Sequence, residues 1–120
     1  MRILCALMVC VLAPVSARAE GTPAARVRAI FEQHCYRCHG QHGVAEGGFN
    51  YVLDLGKLVE RRKIVARSPD KSRLLNRMRH ADDPMPPLAE RVRPSKADLE
   101  AVETWIAAGA VADAPAQPAR

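Results

Sequence analysis

Apolar residues recur at helical spacing near both ends of the chain, with a glycine- and proline-broken region between. Val27, Ile30, Phe31 and His34 stand at i, i+3, i+4 and i+7 and line one face of an amphipathic helix. Thr22 and Pro23 precede that face as a hydroxyl N-cap and a first-turn proline. The second pattern runs from Ser95 to Ala108, with Leu99, Val102, Trp105 and Ile106 at the same spacing. Ser95 is its N-cap, Asp98 places negative charge in the first turn, and Gly109 stands at the C-terminal cap. Trp105 is expected in the contact between the two helices.

The middle of the chain is less regular. Gly40 to Asn50 reads as a loop that includes Gly40, Gly43, Gly47 and Gly48. Val52, Leu55, Leu58 and Val59 predict a short helix interrupted by Gly56, with a short strand near Lys63–Val65 as an alternative. Ser68-Pro69-Asp70 predicts the opening of a further helix that ends near His80. Leu74, Leu75 and Met78 form its apolar side, and its arginines point outward. Asp82-Asp83-Pro84-Met85-Pro86-Pro87-Leu88 cannot be helical, because three prolines fix φ and remove donors. These elements predict one small all-α domain without internal repeats.

The first residues read differently. Arg2, an apolar run from Ile3 to Val15 and the small-x-small triplet Ala17-Arg18-Ala19 have the form of a cleavable export signal. The expected organisation is therefore a signal over 1–19, a domain over 20–110 and an Ala/Pro-rich disordered tail over 111–120. The apolar run is shorter than a membrane-spanning helix requires, so no stable membrane insertion is expected after processing. Export implies the periplasm. Cys5 and Cys10 leave with the signal, so the mature chain keeps Cys35 and Cys38 alone.

Composition adds a constraint. From Glu20 onward there are 7 Leu, 3 Ile, 8 Val and 2 Phe in 101 residues, close to the level at which a chain fails to fold by itself. A buried prosthetic group would supply the missing apolar surface. Without it, the chain is expected to fold poorly. Charge is uneven: Lys57 to Arg79 holds 9 basic residues against Glu60 and Asp70, while the rest of the mature chain is net acidic. In an exported protein nucleic acid is not the expected partner. An acidic protein surface and plain solvation of a helix face both account for the stretch.

The chemistry is concentrated in Cys35-Tyr36-Arg37-Cys38-His39-Gly40. Two cysteines two residues apart, followed at once by histidine, form the attachment pattern of c-type haem. One helical turn brings i and i+3 to the same side, so both thiols reach the vinyl groups of one porphyrin. The adjacent imidazole then meets the iron. A zinc site built on Cys35, Cys38, His39 and either His34 or His42 lacks a distant second ligand pair. A dithiol redox motif lacks its strand–helix–strand surroundings. For the second axial position the stiff proline segment offers Met85. His42, His80, Met78 and an open site are the alternatives. His34, which continues an apolar stripe, reads as packed rather than ligating.

With these pieces in order, the mature chain resembles the class I cytochrome c fold and, more narrowly, the planctomycete-type cytochrome c domain. The matching stretches are Phe31 through Gly40, Gly47-Gly48 with Leu53-Asp54-Leu55, Ser68 through Leu74, Met85-Pro86-Pro87, and Ala101 through Ala110. The chain departs from the family at Arg61–Arg67, where the loop is usually richer in glycine. The resemblance implies one haem c per chain on Cys35 and Cys38, with His39 and Met85 as axial ligands. It also implies terminal helices that cross beside the haem. The expected function is one-electron transfer to redox partner proteins, not enzymatic turnover. A haem enzyme or sensor with an exchangeable axial site, and a haem subunit of a larger redox complex, are the other readings.

Overall fold

The structure, a computed structural model, describes residues 21–113. The expected signal over 1–19 lies outside the described residues, as do 114–120. Four helices form the frame: α1 (Pro23–His34), α2 (Leu55–Glu60), α3 (Arg73–Arg79) and α4 (Lys96–Ala107). Single 3-10 turns lie at Gln41–Gly43, Glu46–Gly48 and Pro69–Lys71. There is no strand among the described residues, only an isolated bridge between His39 and Ala45.

The two long helices start as their sequences dictate. The Thr22 hydroxyl accepts the Ala25 N–H at 3.1 Å, ahead of Pro23 in the first turn. In α4 a reciprocal capping box forms: Ser95 Oγ accepts from Asp98 N–H at 3.0 Å, and the Asp98 carboxylate accepts from Ser95 N–H at 2.9 Å. Helix α4 stops at Gly109, whose φ of 119° suits a residue without Cβ. The Ala110 N–H then turns back to the Trp105 carbonyl at 2.9 Å.

Helices α1 and α4 pack against each other, and α3 packs on α4. Val27, Ile30 and Phe31 from α1 enter one core with Val102, Trp105 and Ile106 from α4. Val52, Leu55, Leu58, Ile64, Leu75 and Met78 complete it. Each fully buried large side chain contributes about 1.5–3 kcal/mol. This arrangement is a small all-α cytochrome c-like fold. No helix among the described residues is long and apolar enough to cross a membrane.

Three local expectations are corrected. Ser68 opens only the turn Pro69–Lys71, and α3 begins later, at Arg73. Ser72 is the cause: it is fully buried, and its hydroxyl accepts the Val65 N–H at 2.9 Å while donating to the Ser68 carbonyl at 3.0 Å. That knot breaks the chain between turn and helix. Gly56 does not interrupt α2, because Asp54 caps the helix by accepting from Lys57 N–H at 3.0 Å and places Gly56 within the first turn. Lys63–Val65 is no strand: Lys63 and Ile64 N–H both close back on the Leu58 carbonyl, at 2.9 and 3.1 Å. Residues 111–113 lie against the domain, with the Val111 carbonyl accepting from Trp105 Nε1 at 3.1 Å and Asp113 bonded to Thr22.

Candidate haem-binding site

Helix α1 delivers the attachment motif. The Cys35 N–H closes the helix on the Phe31 carbonyl at 2.8 Å, and the next turn folds Cys38 and His39 N–H onto the Cys35 carbonyl at 3.2 and 3.0 Å. Gly40 comes next, at a point where a side chain would be crowded. A Cβ there would stand 3.0 Å from the Asn50 carbonyl oxygen and 3.0 Å from the Tyr36 ring. The backbone leaving the motif is thus pressed against the loop that returns from residues 41–50.

A cavity of about 470 Å³ opens beside this turn. Cys35, His39, Phe49, Val52, Leu74, Met78 and Met85 supply its sulfur, imidazole and apolar walls. Its size lies in the usual range for small-molecule and cofactor sites. Cys35, His39 and Met85, named from sequence, therefore meet at one place. Cys38 is half-buried on the same turn and is not part of the cavity wall. His42 and His34 do not line the cavity either. His42 is exposed in the turn after Gly40, and the His34 side chain is buried at 2% exposure with Nε2 3.8 Å from Asp98.

Two imidazoles remain at the cavity, and their hydrogen bonds set them apart. His39 Nδ1 faces the Phe49 carbonyl at 3.3 Å and donates to it, so the Nε2 lone pair is free. The His39 ring also stacks on Phe49 with centroids 4.3 Å apart, which fixes its plane. His80 has the opposite arrangement. Its Nδ1 accepts the Asp82 and Asp83 N–H groups at 3.3 and 3.0 Å, so the neutral ring carries its proton on Nε2 and has no lone pair left to coordinate.

Burial, and then the neighbouring Cys38, push the Cys35 thiol from 9.0 up to about 12. A dithiol redox centre needs the opposite, since the thiolate is the nucleophile. Among the described residues no cluster of three His, Cys, Asp or Glu side chains could hold a metal ion. The zinc and dithiol readings therefore find no support in the site. An apolar cavity with a free imidazole lone pair, a thioether and a paired cysteine motif fits a covalently attached haem.

Sequence reasoning missed part of the wall. Lys63, Arg73 and Arg77 also line the cavity, the two arginines from its edge while staying exposed, as expected of the outward face of α3. Arg73 and Arg77 are i and i+4, and flank the stripe of Leu74 and Met78. Their spacing already put them beside that face; what it lacked was the cavity next to it. Arg93, just before α4, also reaches back to the Met85 segment by bonding to the Pro86 and Pro87 carbonyls.

Residues 35–88 match the model of the family described as planctomycete cytochrome C. No curated protein and no solved structure matches the chain. The matched stretch begins at the first attachment cysteine and runs past Met85, so it contains both walls of the cavity. On that match residues 35–88 are similar to the planctomycete-type cytochrome c domain, and helices α1 and α4, outside the matched stretch, complete the frame around them.

Proposed function

We propose that the chain is a periplasmic one-electron carrier whose haem c is bound through Cys35 and Cys38 and ligated axially by His39 and Met85. The supporting observation is the meeting of His39 and Met85 in one largely apolar cavity that Cys35 also lines. A haem bound there supplies a one-electron Fe(II)/Fe(III) couple. The protein's part is to hold and tune it. Cys35 and Cys38 provide the thioether sulfurs. Phe49 orients His39 through Nδ1 and raises the basicity of Nε2. Met85 offers a soft ligand that raises the potential and, with His39, fills the coordination sphere, leaving no place for substrate. Val52, Leu74 and Met78 give the cavity an apolar wall that would exclude water from a bound haem.

The test is a visible spectrum of the exported, haem-attached protein and of Met85→Ala. The thioether-to-ferric-iron band in the red region is expected in the wild type and absent in Met85→Ala, with a lower reduction potential in the variant. A wild-type protein without the band that binds cyanide rapidly would instead be an enzyme or sensor with an exchangeable site.

A further inference from the structure

We propose that Arg93 is the positioning residue for the sixth ligand: by holding the Pro86 and Pro87 carbonyls, its guanidinium keeps the Met85 side chain in the cavity. This inference rests on the reading of Met85 as an axial ligand.

The segment around Met85 is held ahead of the methionine by Asp82 and Asp83, whose N–H groups meet His80, and on either side by the burial of Pro84 and Pro86; beyond it the Pro87 carbonyl accepts the Glu90 N–H at 3.0 Å. It belongs to no helix or turn of regular structure. Pro84, Pro86 and Pro87 have no N–H, so the only backbone donor among these four residues is Met85. That N–H goes to the Arg77 carbonyl at 3.1 Å. Apolar packing does little to tie down the residues after Pro87, since Leu88 and Val92 are each 63% exposed. The Pro86 residue is buried, and its carbonyl requires a partner.

Arg93 meets that need. Its Nη1 donates to the carbonyls of both Pro86 and Pro87. A guanidinium presents rigid, permanently charged donors, and charge-assisted bonds are roughly twice as strong as neutral ones. Arg93 is itself placed by a fixed element: it precedes by two residues the Ser95 capping box that starts α4. The methionine segment is thereby tied to the helix that packs on α1. The other side-chain cross-links to this region, Arg37 to Glu90 at 2.7 Å and Arg77 to Asp83 at 2.5 Å, are exposed ion pairs and contribute little.

The consequence is an equilibrium between Met85 bound and Met85 displaced, which Arg93 biases toward binding. A competing ligand reads that bias directly, because its apparent affinity scales with the fraction of open sites. The experiment is an imidazole titration of the ferric, haem-attached full-length protein, monitored by loss of the red-region band. In Arg93→Gln, imidazole is expected to bind about ten- to hundredfold tighter, the range of a lost hydrogen bond to a charged group. The band should be weaker before any imidazole is added, with haem attachment unchanged. Arg93→Lys, whose ammonium is a point donor, should fall between the two. Arg91→Gln removes the same charge from an exposed residue of the same segment and should behave as wild type.

Equal imidazole affinity and equal band intensity in Arg93→Gln and wild type would overturn the inference. Should Arg93→Gln fail to mature, Arg93→Lys decides: tighter imidazole binding than wild type supports the assignment, and wild-type binding overturns it. A wild-type protein with attached haem but no red-region band would remove Met85 as a ligand, and this inference with it. That result is distinct from a present band that Arg93 does not affect.

Discussion

At the scale of single residues, hydrogen-bond partners decide roles that residue identity leaves open. His39 and His80 line the same cavity, yet only His39 is left with a free Nε2 lone pair, because a backbone carbonyl faces its Nδ1. Backbone N–H groups face Nδ1 of His80. Ser72 is the same kind of case. Its side chain is fully buried, and its hydroxyl is the partner of the Val65 N–H. Ser72→Ala leaves that donor without an acceptor in the core. The expected cost is about 1–3 kcal/mol. It should be read as a fall of several degrees or more in the thermal midpoint of the haem-attached protein, monitored by circular dichroism.

At the scale of elements, the basic stretch from α2 to α3 divides into three groups. Lys63, Arg73 and Arg77 face the cavity, and Arg77 is also paired with Asp83. Arg79 meets Glu103 of α4 at 3.4 Å, and Lys57 lies over the Tyr51 ring at 5.0 Å. Arg62, Arg67 and Lys71 have no acidic partner among the described residues. These three are the ones available to an acidic redox partner. If they serve docking, the electron-transfer rate with that partner should fall steeply as salt rises, since exposed charges are screened over about 10 Å at 0.1 M. Glutamine at all three positions should flatten the response. A wild-type rate indifferent to salt would assign the stretch to solvation alone.

At the scale of the molecule, the haem cavity and the hydrophobic core share residues. Val52 and Met78 belong to the buried core and also line the cavity. An empty cavity would therefore leave core side chains without partners on one side, in a chain already poor in large apolar residues. Cys35→Ala, Cys38→Ala protein without haem is expected to lose most of its helical circular dichroism and its cooperative unfolding. A native-like spectrum and a sharp transition in that variant would show that α1 and α4 suffice to hold the fold.

Sequence alone carried what helical periodicity, capping residues and adjacency encode. The spacing of Val27, Ile30 and Phe31, the Ser95–Asp98 cap and Gly109 predict α1 and α4, and Cys35, Cys38 and His39 declare their chemistry by adjacency. Met85 stood out because prolines isolate it in a stiff segment, and the structure brings it to the cavity that His39 lines. Contacts that follow no helical period decided the rest. The start of α3 depends on a buried hydroxyl reaching back to Val65. The role of His80 depends on two backbone donors just beyond it, and the grip on Met85 depends on an arginine near the start of α4. Such contacts form where the chain turns between helices, and periodicity carries no record of which backbone group a side chain will meet there.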